Sequence, residues 1–179
     1  MMTGINPNIS FRKALKTDLH KVYEFEASYI RELEPENYQR WAQAKDKNFS
    51  LLQDNLANML IAETSNTLVG YGYWSILNQL PHIFSIYVVP EFRNQKVAHQ
   101  LLLKLEKQIQ QHGYTQSELM TLEFNPARQF FIKHGYAETG INNSWVLMKK
   151  SQPELSQITE GSEQNHHQFS SDDSEEAEG

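Results

Sequence analysis

Ile83-Phe84-Ser85-Ile86-Tyr87-Val88-Val89-Pro90-Glu91-Phe92-Arg93-Asn94-Gln95-Lys96-Val97-Ala98 decides how this chain is read. Its first seven residues are rich in β-branched and aromatic side chains and predict a strand. Pro90 ends that strand, because proline donates no ladder hydrogen bond. Arg93 to Ala98 then runs directly into a helix whose apolar residues Val97, Leu101, Leu102, Leu105 and Ile109 recur at spacings of three and four. A strand, a bend and a helix in immediate succession aim free backbone N–H groups and the positive end of a helix dipole at one point. Such a point binds phosphate. The stretch implies a ligand whose phosphates are held by the backbone.

Outward from that stretch the elements alternate. Gly113 closes the helix. Residues 119–124 predict a fifth strand. Asn125, or Asn125-Pro126, opens a short helix to Lys133, closed by Gly135. Residues 136–139 and 144–149 predict a last hairpin, with Gly140 and Asn142-Asn143 in its turn. On the N-terminal side, residues 9–13 alternate as a first strand. Thr17 or Asp18 caps a helix to about Arg31 that carries Leu19, Val22, Tyr23, Phe25 and Tyr29 mostly on one face. Pro35 starts a second helical stretch reaching about Leu56, and residues 59–63 and 68–76 form two strands around the turn Ser65-Asn66-Thr67. The order β-α-α-β-β-β-α-β-α-β-β predicts an α/β fold with a mixed, mostly antiparallel sheet of six to seven strands flanked by helices. The fourth and fifth strands are expected to be parallel neighbours joined by a right-handed crossover.

The bulk properties narrow the classes. The chain has 179 residues, 39% hydrophobic and 11% aromatic, enough for one domain with a substantial core. It has no cysteine, which excludes disulfides, thiolate metal sites and a cysteine nucleophile. The formal charge of −6 is concentrated at one end: 8 of the 22 acids lie from Gln152 onward with no Lys or Arg, leaving 14 acids against 16 bases elsewhere. The expected organisation is therefore a folded domain over residues 1–150 and a disordered acidic tail over residues 151–179. The nearly neutral folded part lacks the basic footprint of a nucleic-acid binder. No apolar run reaches the roughly 20 residues of a membrane span. With Met1-Met2-Thr3-Gly4 offering no basic or apolar leader, a cytoplasmic protein is expected.

Several local patterns resemble one family. Val88-Val89-Pro90-Glu91-Phe92-Arg93 resembles the strand end and loop signature of the GNAT superfamily, the acyl-CoA-dependent N-acetyltransferases. Arg93-Asn94-Gln95-Lys96-Val97-Ala98 resembles its pyrophosphate loop, and Leu68-Val69-Gly70-Tyr71 its third-strand start. Asn125-Pro126-Ala127 through Phe130-Phe131-Ile132-Lys133-His134-Gly135-Tyr136 resembles its second motif. The likeness covers about residues 8–150.

The resemblance implies an acyltransferase that moves an acetyl or other acyl group from CoA to a primary amine of a small-molecule or protein acceptor, by direct attack on the thioester. Acetyl-CoA would be the co-substrate. Its pantetheine arm would lie between the fourth and fifth strands, paired with backbone groups near Tyr87, Val88 and Val89. The amides of Arg93, Asn94, Gln95, Lys96, Val97 and Ala98 would hold the pyrophosphate, with Asn125 and Phe131 also lining the site. A monomer or a homodimer is expected, with no nucleic-acid or membrane partner.

Three positions depart from the family pattern. Lys96 stands where the loop usually has glycine. Phe131 stands where a tyrosine often protonates the leaving thiolate. Phe84 and Ser85 stand where a strand carboxylate often serves as base. The nearest titratable group to them in sequence is His82, either a general base of suitable pKa or a structural histidine. Tyr29, Tyr73 and Trp74 are candidates for the acceptor pocket. Glu24, Glu26, Glu32, Glu34 and Glu36 form either a cation-attracting mouth or a solvated helix face. The alternative reading is a catalytically degenerate acyl-CoA-binding or interaction module on the same fold.

Overall fold

A computed structural model describes residues 8–153. Its chain order is β1 (Ser10–Lys13), α1 (Leu19–Leu33), α2 (Tyr38–Gln43), α3 (Lys45–Asp54), β2 (Met59–Thr64), β3 (Thr67–Leu77), β4 (Leu80–Val88), α4 (Val97–Gln111), β5 (Gln116–Leu122), α5 (Ala127–Lys133), β6 (Ala137–Asn142) and β7 (Trp145–Ser151). The seven strands form one sheet in the order β1-β2-β3-β4-β5-β7-β6. Every neighbouring pair is antiparallel except β4 and β5, which run parallel across the α4 crossover. The fold is the mixed, mostly antiparallel α/β sheet that the element order predicts. Most of the acidic tail, from Glu154 on, lies outside the described residues.

Helices cover both faces of the sheet, and β2 shows how the sequence encodes this. Met59, Leu60, Ile61 and Ala62 are all buried, with alternate side chains pointing to opposite faces. Met59 and Ile61 join Leu19, Val22 and Phe25 of α1. Leu60 and Ala62 join Leu101, Leu105 and Ile109 of α4. Leu101, Leu102, Leu105 and Ile109 are completely enclosed, so α4 contributes about 1.5–3 kcal/mol of burial for each of these side chains. That anchoring fixes the N-terminus of α4 relative to the end of β4.

The structure corrects some element boundaries. The second helical stretch is broken at Ala44 into α2 and α3. The fifth strand begins at Gln116 and ends at Leu122, leaving Glu123 and Phe124 in the turn toward α5. Gly140 lies inside β6 at a register shift, not in the hairpin turn; Asn143 and Ser144 make that turn with φ of 47° and 67°. A glycine within a strand marks a bulge as readily as a turn. The turn at Ser65-Asn66 has the two positive φ angles of a tight hairpin, 46° and 64°.

Two irregularities in β4 open the sheet locally. Its pairing with β3 shifts between Tyr73 and Trp74, which face Ser85 and Ile83, so Phe84 is the extra residue of a bulge. Its pairing with β5 is confined to His82 with Glu118 and Ile83 with Leu119, after which the two strands part.

Candidate active site

The parting of β4 from β5 opens a cleft through the sheet. Val89 N–H bonds to Val69 O on the β3 side. Alternation along the strand therefore turns the N–H and C=O groups of Ile86 and Val88 the other way, toward the cleft. Arg93 Nε takes the Val88 carbonyl, and the remaining groups of this strand edge can accept an extended ligand as an added strand. Three connected cavities share its lining: Ile86 borders all three and Val88 borders the two nearer α4.

The largest cavity, about 490 Å³, lies against the N-terminus of α4 and is bordered by Arg93, Asn94, Lys96, Val97, Ala98, Phe130 and Phe131, among others. Gln100 N–H to Lys96 O, 3.0 Å, is an i→i−4 bond at the start of this helix, and no side chain caps it. The N–H groups of Val97, Ala98 and His99 thus have no intrahelical acceptor and carry the positive end of the helix dipole. The backbone curls to present them through left-handed residues at Asn94 (φ 61°) and Lys96 (φ 63°). Asparagine tolerates that conformation, whereas lysine adopts it at a cost of about 1–2 kcal/mol. Lys96 therefore performs the backbone role of the glycine it replaces and adds a cation beside the cavity. The Gln95 side-chain amide donates back to Glu91 O at 3.1 Å, within the loop.

Arg93 is committed within the protein. Its Nε donates to Val88 O at 2.9 Å, and Nη1 and Nη2 donate to Glu32 Oε1 and Oε2 at 2.6 and 2.8 Å. The guanidinium also lies 5.6 Å from the Tyr87 ring centre. It holds the Glu32 carboxyl below its ordinary pKa. This fork ties the loop after β4 to the last turn of α1.

The far end of the cleft has different chemistry. A small cavity of about 80 Å³ is bordered by Glu26 and Tyr29 of α1, Phe84 and Ser85 of the bulge, Thr121 and Asn125. The Tyr71 hydroxyl donates to Glu26 Oε1 and lies 2.7 Å from Ser85 Oγ. Burial raises the Glu26 pKa above its ordinary value; bonds from Tyr71 and Ser85 oppose that rise, and the Glu34 charge adds to it. Burial first, then the Glu34 and Glu26 charges, push Tyr29 up to about 12, so its hydroxyl stays protonated at neutral pH. A third cavity, about 230 Å³, is bordered by Tyr29, Glu32, Val88, Arg93 and Asn125, among others.

The residues singled out from sequence fall into two groups. Tyr29, Val88, Arg93, Asn94, Lys96, Val97, Ala98, Asn125 and Phe131 border one or more of these cavities. Asn125 Oδ1 also accepts from Ala127 N–H at 2.9 Å, which fixes the start of α5. Phe131 is buried edge-on to Tyr136 at the base of the cleft. Tyr87 borders the third cavity, but its ring packs into the α1-side core. Val89 packs against both core clusters. Tyr73 is buried and stacks on Phe84 at 5.8 Å. Trp74 faces the other side of the sheet, its Nε1 donating to Gln108 on α4 at 3.1 Å. His82 is 3% exposed, with Nδ1 buried and unpartnered, and borders none of the three cavities. Burial lowers its pKa, and Glu118 opposes that.

Glu26 is the site residue that the sequence did not separate from its acidic neighbours. A usable signal existed: Leu19, Val22, Glu26 and Tyr29 follow helical spacing, so Glu26 occupies a position in the apolar stripe.

The donor set fits acetyl-CoA. Unpaired helix N–H groups and Lys96 suit a diphosphate, the β4 edge suits an amide-bearing arm, and a half-buried carboxylate and hydroxyls lie where the arm would end. Comparison with known proteins agrees. Residues 29–145 match the model of the acetyltransferase (GNAT) domain. A spermidine N(1)-acetyltransferase of Thermoplasma acidophilum is 24% identical over 156 residues, covering 80% of this chain and 97% of the relative. The crystal structure of the PaiA N-acetyltransferase of T. acidophilum in complex with coenzyme A superposes with a TM-score of 0.63 at 22% identity, over 80% of this chain and 99% of that one. A GCN5-related N-acetyltransferase of Rhodopseudomonas palustris superposes with a TM-score of 0.64 at 26% identity, over 84% and 99%.

Proposed function

The chain belongs to the acetyltransferase (GNAT) family and is an acetyl-CoA-dependent N-acetyltransferase acting on an amine, and from that premise we propose that its acceptor is a small cationic primary amine of the polyamine class. The observation that carries this reading is the cleft between β4 and β5, with uncapped helix N–H groups at one end and the carboxylate of Glu26 at the other. A relative named for spermidine acetylation supports the same class of acceptor.

In this reading the N–H groups of Val97, Ala98 and His99, with Lys96, hold the diphosphate. The Ile86 and Val88 edge pairs with the pantetheine amides, and Phe131 borders the arm. Acetyl-CoA supplies an activated acyl group. A backbone N–H of the free β4 edge polarises the thioester carbonyl as charge develops on its oxygen. The amine approaches past Tyr29 and Phe84, drawn by the carboxylates of α1. Much of the rate comes from holding amine and thioester in line. Phe131 has no proton to give, so the sulfur departs as thiolate. Tyr29, protonated and bordering the same cavity, donates a hydrogen bond to it.

The test is to mix the protein with acetyl-CoA and spermidine, then follow free thiol and product mass. Thiol release with a product heavier by one acetyl group supports the reading. Acetyl transfer to amino acids or protein N-termini but not to polyamines would contradict the acceptor class.

A further inference from the structure

We propose that Glu26 on α1 is the general base that takes the proton from the attacking amine, in place of the strand carboxylate that Phe84 and Ser85 do not supply. This rests on the N-acetyltransferase reading above and deepens it.

Three observations converge on Glu26. It borders the small cavity at the point where the β4 bulge and the parting of β4 from β5 leave room for a reacting group. Its carboxylate is held from below by Tyr71 O–H, which is in turn supported by Ser85 Oγ. Bonds from Tyr71 and Ser85 still leave acceptor sites on the carboxylate for an incoming N–H. The groups around it are Tyr71 and Tyr73 of β3, Ser85 of β4, and Tyr29 and Glu34 on the α1 side. None is a cation, so nothing in this set neutralises the carboxylate, and burial keeps its proton affinity high. A carboxylate of raised proton affinity is a better base near neutral pH than a solvated one. His82, the other titratable group near this part of β4, turns its unpartnered Nδ1 into the core and not into the cavity.

The step balances simply. The lone pair of the neutral amine forms the C–N bond to the thioester carbonyl carbon. The C–S bond breaks with its electron pair on sulfur. The proton displaced from nitrogen moves to a Glu26 carboxylate oxygen, and from there to solvent or to the released thiolate. Glu26 returns to its starting state with amide and CoA as products. Tyr71 positions the base through its hydrogen bond and does not itself exchange a proton with substrate.

The experiment compares wild type with Glu26→Gln, which keeps the shape and the Tyr71 bond, and with Glu26→Asp, which keeps the charge. Acetyl-CoA binding is measured by calorimetry, and turnover with butylamine, a plain primary amine that does not depend on the polyamine assignment. Infrared difference spectra across the acid-to-neutral range report the protonated carboxyl directly. The proposal expects acetyl-CoA affinity within about twofold across the three proteins. It expects kcat/KM in Glu26→Gln reduced by about 10²–10⁴-fold with the acidic limb of the pH profile gone, and partial rescue in Glu26→Asp. It also expects a carboxyl band titrating above the ordinary glutamate range in wild type and absent in Glu26→Gln. Undiminished turnover in Glu26→Gln overturns it, as does an unchanged pH profile in that variant. Wild type that binds acetyl-CoA but acetylates neither butylamine nor spermidine also overturns it. Failure of wild type to bind acetyl-CoA at all is seen separately in the titration and removes the N-acetyltransferase reading together with this inference.

Discussion

Arg93 and Glu32, sixty-one residues apart in sequence, meet as a two-pronged ion pair at 2.6 and 2.8 Å, and this pair joins the loop after β4 to the last turn of α1. The pair leaves the loop's cation largely neutralised by a neighbouring carboxylate. In the proposed site the remaining attraction for phosphate would come from the α4 N-terminus and Lys96.

That balance gives opposite effects for the two partners. Glu32→Gln frees the positive charge of Arg93 beside the cavity and is expected to tighten acetyl-CoA binding a few-fold at low ionic strength, the gain fading as salt screens it. Arg93→Ala leaves Glu32 facing the phosphates and is expected to weaken binding by about 1–2 kcal/mol, somewhat more than the 0–1 kcal/mol of an isolated exposed pair. Calorimetric titration at two salt concentrations reads both. Equal effects of the same sign would refute this assignment.

Lys96 combines an unfavourable left-handed backbone with a useful charge. Lys96→Gly relieves the backbone cost of about 1–2 kcal/mol but gives the unfolded chain more freedom, so stability is expected to be unchanged or up by about 1 kcal/mol. Lys96→Ala keeps the strain and loses the charge. If Lys96 contacts phosphate, both variants bind acetyl-CoA more weakly than wild type. If only the loop conformation matters, both variants bind as well as wild type, since Lys96→Gly relaxes the left-handed backbone and Lys96→Ala leaves it unchanged. Melting curves with and without acetyl-CoA separate the two.

Gly70 allows β3 and β4 to approach closely. A Cβ there would stand 2.7 Å from the carbonyl oxygen of Tyr87, which is backbone and cannot rotate away. Gly70→Ala is expected to destabilise by about 1–3 kcal/mol. Because β4 must shift, it is also expected to weaken acetyl-CoA binding at the Val88 edge. A variant that melts lower but binds acetyl-CoA unchanged would detach the strand edge from the ligand site.

Glu26 carries a pH signature in stability as well as in rate. Its pKa is raised in the folded state, so its protonated form favours folding, and that contribution is present below the unfolded pKa and lost as pH rises through the folded value. At mildly alkaline pH the half-buried charge opposes folding. Glu26→Gln should therefore melt higher than wild type at pH about 8, with the difference shrinking toward pH about 4. A variant less stable than wild type at alkaline pH would show that the carboxylate is better satisfied than burial suggests. Tyr29→Phe, which removes the proposed hydrogen bond to the leaving sulfur together with the Asn125 bond, should lower kcat by a factor of about 5–10 with little change in KM.

Much of this was legible because hydrophobic periodicity is strong where it matters. The strand at residues 83–89 and the helix starting at Val97 can be read from spacing alone, and the structure places an uncapped helix N-terminus directly after the turn between them. The parallel β4–β5 pair followed from the intervening helix. What stayed hidden was set by long-range geometry. The bulge at Phe84 arises from the registers of β3 and β4 and leaves no mark in either strand's composition. The Arg93–Glu32 pair joins segments that are distant in sequence. Its place along the chain leaves His82 as either a base or a structural histidine; the fold aims it into the core, while α1 brings Glu26 to the cavity from the other side of the sequence. Gly140 read as a turn because glycine serves turns and bulges alike, and only the β6 register distinguishes them.

The most direct measurement is a thiol-release assay with wild-type protein, acetyl-CoA and spermidine, with mass spectrometry of the product. Amine-dependent CoA release, matched one for one by a monoacetylated amine and abolished in Glu26→Gln although acetyl-CoA still binds, is the predicted result. Saturable acetyl-CoA binding with no amine-dependent thiol release would contradict the account and leave a CoA-binding module on this fold.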